Sequence, residues 1–261
     1  MDGVNKTLYI PLYGKALVSG QGILLRDKKA EEIWSAEGFR LKGKAASKWL
    51  AYYMAMRAAV MDRWTAEKLA ADPEAAVLHI GCGLDSRFLR VGAEGRQWYD
   101  IDFPEVIRER RKYYPETERY HMVCADVRSN GWKDSIPTGG TAIVVMEGVS
   151  MYLKPEELSR LLRDLREHFA HVRLLMDCYS SFAARASRYK NPINQVGVTQ
   201  VYGLDDPEKL AAETGLCYGK EHDLTPTTLI RQLGAGERVV FSNLYAGRMA
   251  RRLYRMYEFE A

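Results

Sequence analysis

Apolar positions along the chain change their period near residue 72. From Ala45 to Ala71, Trp49, Tyr53, Met56, Val60 and Trp64 recur at steps of three and four, which predicts a helix with one buried stripe. Upstream, Thr7 to Ser19 is apolar without strand alternation, and Asp27 to Trp34 predicts a short helix. Asp72-Pro73 then stops the long helix, because the residue before a proline is pushed out of helical space. Beyond it, short apolar runs predict strands at 77–81, 97–102, 120–125, 141–147, 172–177, 216–222 and 252–259. The first five follow a βα rhythm, which predicts a parallel sheet core. Leu158, Leu161, Leu162, Leu165 and Phe169 mark one face of a further helix, with Pro155, Glu156 and Glu157 in its first turn. The expected organisation is a helical extension over 1–72 packed on an α/β core over 73–261.

One stretch departs from this rhythm. Residues 179–203 are rich in Ser, Arg, Tyr and Asn and follow the fifth strand, so a lid at the carboxyl edge of the sheet is expected there. With 47% hydrophobic and 28% charged residues in 261, the composition is that of a globular protein with a single core. The net charge of +4 is modest and the basic residues are scattered outside 108–112 and 248–255, so no nucleic-acid partner is expected. Cys82, Cys124, Cys178 and Cys217 are widely spaced with no CxxC, and no signal peptide precedes them, which points to reduced thiols and the cytoplasm. No apolar run approaches the ~18 residues of a membrane span.

The candidate chemistry gathers at the strand ends. Val77 to Ile80 breaks into Gly81-Cys82-Gly83, a turn whose glycines let the backbone bend sharply and approach a ligand. The third glycine of a dinucleotide fingerprint is replaced by Ser86, and the Gly-Lys-Ser/Thr ending of a P-loop is absent. The next three strands end near Asp102, Asp126 and Glu147. Three carboxylates in register suit a ligand with ribose hydroxyls, an amine and positive charge, and would repel a pyrophosphate. Arg57 interrupts the apolar stripe of the long helix, so its guanidinium points inward and requires a partner. That partner is either an internal carboxylate, Asp62 or Asp85, or the carboxylate of a ligand, which the planar fork suits. His168 and His171 lie at a helix end without acidic residues to complete a ligand set, so no metal is expected.

The runs Leu78 to Arg87, Tyr99 to Ile107 and Glu147 to Leu153, with Pro11 to Ser19 and the pair Arg57 and Asp62, resemble the leucine carboxyl methyltransferase superfamily. The nearer likeness is to its bacterial branch of tetracenomycin-type O-methyltransferases, over roughly residues 7–160. This resemblance implies a Rossmann-like class I methyltransferase, with a seven-stranded, mostly parallel sheet whose last strand is antiparallel. It implies S-adenosyl-L-methionine as methyl donor and S-adenosyl-L-homocysteine as product. By position, Arg57, with Lys15, would hold the methionine carboxylate, and Gly81, Cys82 and Gly83 would line the methionyl portion. Asp102 would meet the ribose, Asp126 with Val127 the adenine, and Glu147 the methionine amino group. Ser86 stands where that branch has Thr, and Cys82 where it has alanine or glycine.

The acceptor is expected to be a small molecule or peptide offering a carboxylate, which is ionised at neutral pH and dispenses with a general base. No histidine is expected at a strand end facing the site. The acceptor side draws its candidates from Tyr152, Tyr179, Arg185, Arg188 and Tyr202, with Tyr189 and Lys190 nearby, and no single catalytic residue stands out. A phenolic or polyketide hydroxyl is the alternative acceptor. Rivals of other classes are an NAD-dependent oxidoreductase, opposed by Ser86 and the acidic strand ends, and a non-catalytic S-adenosylmethionine-binding module. The oligomeric state is left open.

Overall fold

The computed structural model describes residues 3–38, 41, 43–190 and 200–261, with the backbone alone at 3–7, 44 and 188–190. Its centre is a seven-stranded sheet in the order β3-β2-β1-β4-β5-β7-β6. The strands are β1 (Ala76–Ile80), β2 (Trp98–Asp102), β3 (Tyr120–Cys124), β4 (Thr141–Met146), β5 (His171–Tyr179), β6 (Cys217–His222) and β7 (Tyr254–Glu260). The first five run parallel, with Leu78 opposite both Tyr99 and Val144. β7 is antiparallel to both β5 and β6, as expected for this architecture. β1 and β4 are buried on both faces, which explains why they read as unbroken apolar runs.

Among the described residues, three α-helices precede the sheet: α1 (Gly3–Gln21), α2 (Lys28–Glu37) and α3 (Lys48–Ala71). The unassigned apolar segment from Thr7 to Ser19 is the body of α1, despite Pro11 within it. Tertiary packing holds it. A Cβ on Gly14 would lie 3.2 Å from Ala51 Cα, so the glycine lets α1 back closely onto α3. The expected single stripe of α3 is too narrow. Tyr52, Ala55, Met56, Met61 and Trp64 are buried, whereas Trp49, Tyr53 and Val60 are half-buried. The sheet and α1 cover one side of α3, and residues from the far end of the chain cover the other.

Those residues come from a part of the chain where no element was expected. After α4 (Arg87–Arg90), α5 (Pro104–Arg110), α6 (Pro155–His168), α7 (Ser181–Lys190) and α8 (Pro207–Thr214), the chain forms α9 (Thr227–Ile230), α10 (Ala235–Leu244) and α11 (Arg248–Leu253). Leu229, Ile230, Leu233 and Phe241 pack with Tyr52 and Met56 of α3. The fifth strand runs two residues further at its carboxyl end than predicted, because Tyr179 pairs with Tyr254 across the β5-β7 ladder. The expected lid segment therefore opens on the last residue of β5 and continues as α7, and its stretch 191–199 lies outside the described residues.

Candidate active site

The turn after β1 is built as its glycines suggest. Gly81 has φ +68° and Gly83 φ +52°, both in the left-handed region. A Cβ on Gly81 would stand 2.2 Å from Val149 Cγ2, so the turn admits no side chain there. At the carboxyl ends of β1 and β4 it opens onto a cavity of about 470 Å³, a volume in the range of small-molecule sites. Its wall carries charge, with Lys15, Arg57, Asp85 and Glu147 among the lining. Apolar and aromatic residues make up much of the rest, with Tyr53, Tyr152, Tyr179, Tyr245 and Tyr254 among the lining.

The charged residues form one continuous network. Arg57 Nη1 donates to Asp177 Oδ2 at 2.8 Å and to the Tyr254 hydroxyl at 2.6 Å, and Nη2 donates to Glu147 Oε1 at 2.8 Å. Tyr254 in turn donates to Asp177. Lys15 reaches Asp85 at 2.7 Å and Glu147 at 3.5 Å. Arg87 pairs with Glu147 and, at 2.8 Å, with Asp62, while Arg90 pairs with Asp62, Asp27 and Asp85. Arg57 thus takes neither of the internal partners first expected of it, because Asp62 is taken by Arg87 and Arg90 and Asp85 by Lys15, Arg87 and Arg90. Burial alone would make Glu147 and Asp85 easier to protonate. The surrounding cations outweigh it and hold both carboxyls below their ordinary values. At Asp177 burial wins and the pKa is raised, although Arg57, Tyr254 and the Gly148 N–H all oppose it.

A histidine does face the cavity, contrary to expectation, since His79 of β1 is among its lining residues. Both ring nitrogens are engaged. Arg87 Nη1 donates to Nε2 at 2.8 Å, which makes Nδ1 the donor to Asp100 Oδ1 at 3.1 Å. Burial and the neighbouring guanidinium lower its pKa, so His79 is a neutral, fixed element of the wall.

The expected site residues separate into two sets. Lys15, Arg57, Gly81, Cys82, Gly83, Glu147, Tyr152 and Tyr179 meet at the cavity. Asp102 sits beside it, accepting from the N–H groups of Gly83 and Phe103 at 2.8 Å each, and burial raises its pKa despite those bonds. Asp126 and Val127 are half-buried beyond the end of β3, where Asp126 is paired with Arg128. Tyr202 lines a separate hollow against α6 and α8, and Arg185 is exposed on α7. The side chains of Arg188, Tyr189 and Lys190 lie outside the described residues. Two partners of Arg57 were not anticipated. Asp177 is an acid near the end of β5 and was open to the reasoning that selected Asp102, Asp126 and Glu147. Tyr254 opens an antiparallel strand and carries no such signal.

The strand order, the antiparallel β7 and a glycine turn followed by an acid at the end of β2 define a class I S-adenosylmethionine-dependent methyltransferase. Solved structures of the same fold include magnesium protoporphyrin IX methyltransferase from Synechocystis with bound S-adenosylhomocysteine, at TM-score 0.52 and 14% identity over 89% of this chain and 94% of that one. Another is an S-adenosylmethionine-dependent methyltransferase from Mesorhizobium loti, at TM-score 0.54 and 12% identity over 77% and 98%. The leucine carboxyl methyltransferase model matches residues 5–166, and the chain belongs to that family. It is 29% identical to the tetracenomycin polyketide synthesis O-methyltransferase of Streptomyces glaucescens, over 96% of this chain and 97% of the relative. It is 28% identical to an S-adenosyl-L-methionine-dependent methyltransferase of Gibberella zeae, over 84% and 81%. The protein is an enzyme, and S-adenosylmethionine is its methyl donor.

The residues present fit that donor. The glycine turn lines the cavity, and Arg57 Nε is a buried donor with no partner among the described residues. No group of histidine, cysteine and acidic side chains suited to hold a metal occurs among the described residues, and none of their helices is long and apolar enough to cross a membrane.

Proposed function

We propose that the protein methylates an ionised oxygen, a carboxylate on a small-molecule or peptide acceptor whose apolar or aromatic body packs on the tyrosines of the cavity. The donor supplies an electrophilic methyl group on a sulfonium. Arg57 and Lys15 hold its methionine carboxylate, and Glu147 receives its amino group. Gly81, Cys82 and Gly83 line the methionyl portion, Asp102 accepts from the ribose, and Asp126 and Val127 meet the adenine. The protein's contribution is to align the two partners and exclude water from the space between them.

The observation that carries the carboxylate reading is the state of the cavity's titratable groups. A hydroxyl acceptor would require a base tuned near neutrality. His79 is bonded at both nitrogens, and Glu147 is held ionised by Lys15, Arg57 and Arg87. Burial raises the pKa of Tyr53, Tyr152 and Tyr254. Asp177 and Asp102, the two carboxyls here with raised pKa, each have both oxygens occupied and are not part of the cavity wall. An acceptor already ionised at neutral pH removes the need for any of them.

The test uses labelled S-adenosylmethionine with a panel of aromatic carboxylic acids and the matching phenols. Carboxyl methyl esters release methanol in mild base, whereas aryl ethers do not. Base-labile label, formed in single turnover at a rate flat between about pH 6 and 8, is the expected result. Base-stable label, with a rate rising through that window, would refute the carboxylate and establish hydroxyl methylation.

A further inference from the structure

Arg57 is anchored by two residues that no ligand contact assigns. We infer that Asp177 and Tyr254 are a positioning pair, whose function is to fix the Arg57 guanidinium so that its one unpartnered nitrogen faces the donor's carboxylate. The inference rests on the proposed role of Arg57 in donor binding.

The geometry leaves little freedom at Arg57. Asp177 is fully buried, Arg57 is 4% exposed, and Tyr254 is buried. The three form a closed triangle. Arg57 Nη1 donates both to Asp177 Oδ2 and to the Tyr254 hydroxyl, and that hydroxyl donates to the same Asp177 oxygen. The other oxygen, Asp177 Oδ1, accepts from the Gly148 N–H at 2.7 Å, which ties the carboxylate to the loop after β4. The β5-β7 ladder brings the pair together, since Asp177 lies opposite Met256 and Tyr179 opposite Tyr254. Glu147 occupies Nη2, so Nε alone remains without a partner among the described residues. A buried guanidinium N–H left unpaired is costly, and an incoming carboxylate would satisfy it. Glu147 by itself would fix one nitrogen and leave the guanidinium plane free to rotate. The second anchor, at Nη1, removes that rotation.

The ring of Tyr254 adds a connection to the aromatic lining. Its centroid is 4.9 Å from that of Tyr179 and 6.1 Å from that of Tyr53, and all three rings line the cavity. The hydroxyl therefore serves the charged network while the ring serves the aromatic lining. Replacing Tyr254 by Phe removes only the first.

Calorimetry with two ligands tests the pair: S-adenosylhomocysteine, and 5′-methylthioadenosine, which shares the adenosine and lacks the amino acid. Tyr254→Phe is the primary variant because it keeps the ring and every formal charge; Asp177→Asn and Arg57→Met accompany it, each checked by thermal unfolding. The expected result is a loss of about tenfold in affinity for S-adenosylhomocysteine in Tyr254→Phe and Asp177→Asn, with 5′-methylthioadenosine unchanged within about twofold. Arg57→Met should lose at least as much, and adding Tyr254→Phe to it should cost nothing more. If Arg57→Met weakens S-adenosylhomocysteine while Tyr254→Phe binds like wild type, the positioning pair is overturned and the role of Arg57 stands. If Arg57→Met also binds like wild type, the donor reading of Arg57 falls and the pair falls with it. Equal losses for both ligands in Tyr254→Phe would mark a general structural effect and overturn the inference. Should Asp177→Asn not fold, Tyr254→Phe decides.

Discussion

Gly81→Ala tests the turn on which the site is built, and its two costs can be separated. The backbone at Gly81 has φ +68°, a conformation that costs an L-residue about 1–2 kcal/mol. The added Cβ would also lie 2.2 Å from Val149 Cγ2. Retreat is difficult on both sides. Gly81 N is bonded to Ile101 O at 2.8 Å, and a β-branched valine has few χ1 wells to move into. Relief by an off-rotamer side chain or a backbone shift costs about 1–3 kcal/mol. Gly81→Ala should therefore lose about 2–5 kcal/mol, a large part of the ~5–15 kcal/mol that keeps a domain folded. Urea denaturation followed by circular dichroism measures it. The second site is the sharper test: Val149→Ala destabilises the wild type by removing methyl groups from a half-buried position, yet it should stabilise Gly81→Ala by about 1 kcal/mol or more. A Gly81→Ala protein within about 0.5 kcal/mol of wild type would refute the reasoning, as would a Val149→Ala effect of the same sign in both backgrounds.

Other expectations are simpler to state. Asp102→Ala should weaken S-adenosylmethionine and S-adenosylhomocysteine alike in calorimetry, because the ribose is common to both; unchanged affinity for either would move the ribose contact away from Asp102. Asp100 opposes its own ionisation by burial, but Arg110, His79 and Tyr120 outweigh this and bring its carboxyl down from 3.8 to about 2. The unfolded chain then binds the extra proton first, so this contribution of about 2 kcal/mol is complete above about pH 5 and is lost as pH falls towards 2. Denaturant titrations across that range should show the loss, and an Asp100→Asn protein whose stability falls just as steeply below pH 4 would refute the assignment.

The sheet was legible because its signals are local. β1 and β4 are apolar throughout since both faces are covered, and Asp72-Pro73 marks the boundary before them. α1 was not legible, because its helix contains Pro11 and depends on the close approach of Gly14 to Ala51, a contact with a different helix. The width of the buried face of α3 depends on Leu229, Ile230, Leu233 and Phe241, which lie far along the chain. At the site, the strand-end rule located Glu147 and brought Asp102 to the edge of the glycine turn. The same rule did not anticipate that Asp126 would be half-exposed against Arg128, because a residue's reach beyond a strand end depends on the loop that follows. Asp100 shares a strand face with Asp102 yet is fully buried, bonded to Arg110, Tyr120, Trp98 and His79, and is not available to a ribose. Arg57 was legible as a buried charge, but its partners are strand-end acids and a tyrosine from β7, which periodicity along α3 cannot reveal.

The network around Arg57 is also where the leading helices join the sheet. Lys15 comes from α1, Arg57 and Asp62 from α3, Arg87 and Arg90 from α4, Glu147 and Asp177 from the carboxyl ends of β4 and β5. Such pairs are weak evidence of net stabilisation, because desolvation offsets much of their attraction. Deleting one member is different, since it strands a buried charge and costs about 3–5 kcal/mol. Donor binding and attachment of the helices therefore depend on the same side chains, and a charge deletion at this site perturbs both. Tyr254→Phe avoids that confusion: it removes one hydroxyl from Arg57 and Asp177 and leaves their ion pair in place. A selective loss of affinity in that variant would report the orientation of the guanidinium and not the integrity of the joint.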